Sequence, residues 1–342
     1  MAITIDTECD KGPGWLIQRP LRFRSVVEGI PERLEPIFRE FGARATYLLS
    51  PEVIQNDECV AVLKDANFHG AELGTHLHGE FIEPHTVFET DTTWVMQNTY
   101  SREVEAKKLE NLTQLFVDRF GYSPRSFRAG RFGIGRNTLP ILSKLGYWVD
   151  SSVVPFSQWA DKGGKVDFFG APTQPYFPSH ENYKRKGSLP ILEVPVTTGN
   201  SWYDYVPQAI LRLIPRYPRL WGGLMKRLGM RSKLKVSWLR PTFPSISFED
   251  IRNLMLAQLN RFNNGNVFFV MMFHNVDIVP GCSPYAQNEN DAKLFLRRLT
   301  QTLEFAQQHR AHFVLLSEIR DLFTGRHAKP ANSSPAEIAA HV

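Results

Sequence analysis

Residues 266–274 read NVFFVMMFH, apolar almost to the end and closed by a histidine. A strand with no polar face must be covered on both sides, and in soluble proteins that means a parallel sheet flanked by helices. The rest of the chain alternates in the manner such a sheet needs. Short β-branched or aromatic runs occur at 2–6, 45–49, 71–75, 126–129, 147–151, 190–196 and 311–316. Between them, apolar residues at helical spacing predict helices over 30–41, 51–68, 101–120, 137–145, 248–262 and 290–309. In the 101–120 helix, Leu109, Leu112, Phe116 and Phe120 form the inner stripe, which leaves Arg102, Glu105, Lys108 and Asp118 outside it. Seven or eight strands alternating with helices define an α/β architecture.

Titratable residues recur where these strands end: Asp6, His76, Arg128, Asp150 and His274. A barrel whose site is built by the loops after the strands has this pattern. An open, doubly wound sheet is the alternative, and no glycine-rich phosphate loop follows the first strand to support nucleotide binding.

A chain of 342 residues can bury a large core, and with 42% hydrophobic and 22% charged residues it reads as globular rather than disordered. No apolar run approaches the roughly 18 residues of a membrane span, and the opening MAITIDTECD lacks the pattern of a secretory leader. The three cysteines, Cys9, Cys59 and Cys282, are too few and too scattered for a disulfide framework or a cysteine zinc module. A cytoplasmic location is therefore expected. Residues 1–324 read as one domain, with a basic insertion around 200–247 and a disordered tail over 325–342. Within 211–240 there are nine Lys and Arg residues and no acidic one, against a net charge of only +5 for the whole chain. With Trp221 and Trp238 interleaved, the segment suits peripheral contact with an anionic membrane at its inner face, or with an acidic glycan, as well as a solvated surface. Groove-reading motifs are absent, so no nucleic acid is expected.

Five stretches could carry chemistry. AELGTHLHGE places His76 and His78 on one face of an extended strand end, a common start for a divalent-metal site. ITIDTECD sets Asp6, Glu8 and Asp10 at alternate positions, and carboxylates at a buried strand mouth need a cation or donors. SFRAGRFGIG offers Arg128 and Arg131 as forks for a carboxylate. MMFHNVD delivers His274 into a polar mouth, with Asn275 and Asp277 directly after it. Asp150 closes another strand in YWVDSS. Together these residue types support metal-assisted hydrolysis: a carboxylate held by arginine takes a proton and a histidine opposite serves the leaving amine.

The order TIDTECD, ELGTHLH, FRAGRFG, VDSSVVP, MMFHNVD resembles the polysaccharide deacetylases with a NodB homology domain (carbohydrate esterase family 4), in particular their WalW-like branch, over nearly the whole chain. The resemblance implies an irregular (β/α)7 barrel and removal of acetyl groups from N-acetylated saccharides. It implies Asp6 as general base, Arg128 as the residue orienting it, His274 as general acid and Asp150 as the carboxylate positioning that histidine. It also implies a metal, zinc by the donor types, held by Glu8, His76 and His78. Two departures stand out: the usual adjacent aspartates are replaced by Asp6-Thr7-Glu8, with Asp10 a rival ligand, and the second histidine comes two positions after the first rather than four, where Glu80 stands instead. Other readings are a metal-dependent amidohydrolase acting on another small amide and a non-catalytic glycan-binding protein on the same scaffold.

Overall fold

The computed structural model describes residues 1–84, 96–161, 164–199, 227, 236–242, 246–262 and 265–325. Its strands are β1 (Ala2–Thr7), β2 (Ala45–Leu49), β3 (Glu72–Leu77), β4 (Ser126–Ala129), β5 (Val149–Asp150), β6 (Gln158–Asp161), β7 (Gly164–Asp167), β8 (Leu192–Glu193), β9 (Thr198–Gly199), β10 (Ser237–Trp238) and β11 (Val270–His274). Seven of them form one sheet in the order β11-β1-β2-β3-β4-β5-β8, every pair parallel. β6–β7 and β9–β10 are two-stranded antiparallel additions.

The two sheet edges are joined outside the regular ladder. Thr197, just beyond β8, donates its N–H to the Val270 carbonyl (3.1 Å), and Met272 N–H reaches the Leu239 carbonyl (3.1 Å), while Leu239 N–H bonds the Thr197 carbonyl (2.9 Å). The sheet is thus a curled half-barrel with an irregular closure, an irregular (β/α)7 barrel rather than the open sheet. Buried residues line β1, β2 and β11, as runs without a polar face demand.

Several elements depart from the sequence-based expectation. Residues 311–316 are not a strand. β1 already has β11 and β2 as neighbours, so this stretch crosses the amino ends of the strands: Val314 N–H bonds the Met1 carbonyl (3.0 Å), Leu316 N–H the Thr46 hydroxyl (2.9 Å), and Ser317 N–H the Glu72 carboxylate (3.1 Å). The 51–68 helix is two helices, Pro51–Gln55 and Asp57–Phe68, because Asn56 accepts the Cys59 N–H with its side chain and starts the second. Ahead of the first of them, the Ser50 hydroxyl donates to the Thr7 carbonyl. The helix expected from residue 30 begins at Ser25 and runs through widened turns to Leu34 before tightening over Glu35–Glu40, which accommodates Pro31 with its missing N–H.

Glu105 and Lys108, expected on the outer face of the Arg102–Phe120 helix, are buried. A chain segment crosses that face. Lys108 Nζ donates to the Gly79 and Ile82 carbonyls at 2.7 Å each, and Glu105 accepts from Gln97 (2.9 Å) and the Thr138 hydroxyl. Most of the basic insertion and all but the first residue of the tail expected from the sequence lie outside the described residues.

Candidate active site

The parallel register levels the strand ends. Asp6 pairs with His274 across β1–β11, and His76 with Arg128 across β3–β4. β3 can pass close to β4 because Gly74 has no side chain; a Cβ there would sit 2.5 Å from the Ser126 carbonyl. Glycine is likewise required at Gly130, where a Cβ would meet the Leu77 carbonyl at 2.4 Å and the His78 ring at 3.1 Å.

Glu8 is fixed from its backbone. Its N–H donates to Asn275 Oδ1 (2.8 Å) and its carbonyl accepts from Asn275 Nδ2 (2.9 Å). Glu8 Oε1 then lies 3.3 Å from His76 Nε2 and 3.1 Å from His78 Nε2, and those two nitrogens are 3.2 Å apart. Among the described residues, Glu8, His76 and His78 are the group whose ligand atoms lie close enough together to hold a metal ion.

The remaining ring nitrogens decide what can sit between them. His76 Nδ1 faces the Arg128 carbonyl at 3.0 Å, an oxygen that only accepts, so Nδ1 carries hydrogen and Nε2 a lone pair. His78 Nδ1 faces Glu80 Oε1 at 3.1 Å, and the same reasoning bares its Nε2. Two lone pairs and a carboxylate oxygen, all buried, point at one place. Such a set fits a divalent cation. Burial alone would lower the pKa of His78, but Glu8 and Glu80 outweigh it and push the ring up to about 9, so without an ion Nε2 holds a proton at neutral pH that a bound cation would displace to use the lone pair. Against burial, which would raise it, the neighbouring His78 and Lys11 hold the Glu8 carboxyl well below its ordinary range.

The rival ligands have other work. Asp10 accepts from the N–H groups of Arg24 (2.9 Å) and Ser25 (3.1 Å) and from the Ser25 hydroxyl (2.5 Å), at the start of the Ser25–Leu34 helix. Glu80 orients His78 and is itself gripped by Arg131 at 2.6 Å. Arg131 reaches back because its backbone, like that of Phe132, takes a left-handed conformation (φ 54° for both).

Beside this group lies the Asp6–Arg128 pair. Arg128 is fully buried and spends every nitrogen: Nε on the Ser151 carbonyl (2.7 Å), one amino group on Asp6 Oδ1 (2.6 Å), the other on the Thr4 and Ser151 hydroxyls (2.8 and 3.0 Å). Burial would raise the Asp6 pKa; Arg128, then His76 and His274, overcome it and keep the carboxyl below its usual value. Asp6 Oδ2 is 4.0 Å from both His76 Nε2 and His274 Nε2. His274 closes the other side, with Nε2 3.7 Å from Glu8 Oε1 and its ring 5.0 Å from that of Trp15, which in turn meets Tyr285 at 5.4 Å.

Asp150, read from the sequence as the carboxylate positioning His274, is placed elsewhere. It accepts from the backbone N–H and hydroxyl of Ser152 and pairs in the register with Glu193, below Arg128. The groups against His274 Nδ1 are Arg240 (3.0 Å) and Asp277 (3.9 Å). Sequence reasoning also passed over Lys11, whose Nζ lies 3.0 Å from Glu8 Oε2. Its signal was a single lysine directly after the acidic cluster. Arg240 carried no separate signal, being the last cation of the basic segment.

No protein-family model matches the sequence, and no curated protein matches it. Among solved structures, the chain resembles a Mycobacterium smegmatis protein described as a polysaccharide deacetylase, with 15% identity, 88% of this chain and 79% of that one covered, and a TM-score of 0.50. It also resembles PuuE allantoinase, with 12% identity, 95% and 90% covered, and a TM-score of 0.55. At such identities the likeness is one of architecture. The fold is the irregular barrel of the NodB-type polysaccharide deacetylases.

Proposed function

We propose that this protein is a metal-dependent hydrolase that removes an N-acetyl group from a saccharide, a member of the WalW-like branch by the order of its strand-end motifs. The observation that carries the reading is the meeting of two bare imidazole nitrogens and Glu8 Oε1 beside an arginine-held aspartate and a histidine. Glu8, His76 and His78 would hold the ion, zinc by the donor set, and when bound it supplies Lewis acidity toward a carbonyl and a water. Asp6 stays ionised against Arg128 and keeps Oδ2 free to take the proton of an attacking water. Arg128 fixes the direction of that oxygen. His274 stands on the opposite side as the donor to the leaving nitrogen. Asp150 belongs to the support of this arrangement, through the Ser151–Ser152 segment that holds Arg128.

Acetate release from N-acetylated saccharides, measured with and without chelator, tests the reading. Chelator-sensitive release supports it. Turnover only of a small non-sugar amide would favour the amidohydrolase reading, which the shared architecture with an allantoinase brings into view. Saccharide binding without any acetate release would favour the non-catalytic reading. The basic segment 211–240 is proposed as the contact with an anionic membrane surface or acidic glycan, in a cytoplasmic protein. Failure to enrich on anionic liposomes relative to a charge-neutralised segment would count against the membrane. Among the described residues no helix is long and apolar enough to cross a membrane.

A further inference from the structure

Arg240 ends the basic segment, yet it does not lie on the surface with the other cations expected there. It is buried, only 6% exposed, and one amino group is 3.0 Å from His274 Nδ1. A guanidinium has five N–H donors and no acceptor. Hydrogen on Nδ1 would therefore set N–H against N–H at that distance. Nδ1 must present its lone pair to Arg240, and the ring hydrogen must sit on Nε2.

The other side of the ring agrees. Nε2 faces Glu8 Oε1 at 3.7 Å and Asp6 Oδ2 at 4.0 Å, both acceptors. Asp277, which could have taken hydrogen from Nδ1, stands farther away at 3.9 Å. Its carboxylate is engaged by the Thr242 and Ser283 hydroxyls (2.8 and 2.9 Å) and has Arg240 at 3.9 Å. Arg240 thus takes the place at Nδ1 that a carboxylate would need in order to support an imidazolium.

We infer that Arg240 is a positioning residue that locks His274 in the tautomer with hydrogen on Nε2, so that this histidine serves the leaving nitrogen as a neutral hydrogen-bond donor. The consequence for chemistry rests on the hydrolase reading above. Water adds its oxygen to the acetyl carbon and gives one proton to Asp6 Oδ2. The C–N bond then breaks, and the departing nitrogen receives that same proton from Asp6, while His274 keeps its own; Asp6 rather than His274 is then the general acid, and the histidine gives a hydrogen bond only. Asp6 Oδ2 lies equally far, at 4.0 Å, from the ring that faces the metal donors and from the ring that faces the leaving group, as a carboxylate working on both sides should.

The tautomer is read without any substrate. Full-length protein labelled with ¹⁵N at histidine is followed by long-range ¹H–¹⁵N correlation, metal-free and with zinc, and His274 is assigned by its loss in His274→Gln. The expected result is hydrogen on Nε2 and a bare Nδ1 in the wild type, exchange between tautomers in Arg240→Leu, and restoration of the single tautomer in Arg240→Lys. Hydrogen on Nδ1 in the wild type overturns the inference whatever the variants do, as does an unchanged ring in Arg240→Leu. In acetate release, Arg240→Leu should lower kcat by about 100-fold through misplacement of the donor, with KM and zinc content unchanged and kcat partly restored in Arg240→Lys. Failure of the deacetylase reading would remove this last measurement and leave the spectroscopic one standing.

Discussion

Glu8 has two carboxylate oxygens and the site engages both, Oε1 with the histidines and Oε2 with the buried ammonium of Lys11. That division leaves one oxygen for a cation and fixes the other, so that on the proposed reading a glutamate two residues past Asp6 does the work of an adjacent aspartate. The longer side chain makes up the reach. His76→Ala should lower zinc affinity by about 100-fold or more, and Glu80→Gln by about 10–100-fold, since Glu80 fixes the tautomer of His78 without ligating. Titration of metal-stripped protein with zinc, read by calorimetry, checks both; equal losses would mean that Glu80 is itself a ligand. Arg128→Met should destabilise the fold by about 3–5 kcal/mol, because it leaves Asp6 buried without its cation. Urea unfolding measures this independently of any activity.

The elements carry their own consequences. Lys108 ties the Arg102–Phe120 helix to the chain that leaves β3, and burial lowers its pKa to about 8. Lys108→Met would leave two buried carbonyls without a donor, a cost of about 2–6 kcal/mol in urea unfolding at about 1–3 kcal/mol for each unmet group. β5 and β8 meet through Asp150 and Glu193, two fully buried carboxyls. Burial raises both, and the charge of Asp150 adds to the rise in Glu193, to well above its ordinary 4.5. An acid raised by folding contributes its stability fully below its unfolded value and loses it as pH climbs through the folded one. Wild-type stability should therefore fall relative to Glu193→Gln as pH rises from about 4.5, since glutamine has no proton to lose. Denaturation midpoints across pH would show the two curves diverging; parallel curves would mean that the pair does not titrate with folding. Asp6, Glu8 and Glu80 act in the opposite sense, their lowered values adding stability above the ordinary carboxylate range and losing it on acidification.

For the whole molecule, a cation bound only by the folded chain adds about 2.7 kcal/mol at 100 times its Kd. Zinc should accordingly raise the Tm of chelator-treated protein by roughly 5 °C, and His76→Ala should show no such rise. The same architecture, with strand ends gathered at one mouth, explains why so many of the residues that meet there could be named in advance. Asp6, Glu8, His76, His78, Arg128 and His274 each sit at or just past the carboxyl end of a run whose apolar pattern marks a strand, and parallel strands bring such ends together whatever the connecting helices are. Asp150 shows the limit of that logic. It too ends a strand, but the pleat and the presence of Glu193 beside it turn it toward Ser152 rather than His274.

Pattern and residue type alone determined the parallel α/β architecture and the strand-end residues of the site, because burial on both faces and a level register are local properties that propagate along each strand. Only the tertiary structure decided that Glu8 and not Asp10 joins the histidines, that 311–316 stays out of the sheet, and that Glu105, Lys108 and Arg240 go inward. Each of these turns on a partner far away in the chain. A charged side chain enters the interior only where a distant carbonyl, carboxylate or imidazole meets it, and no local spacing records that meeting.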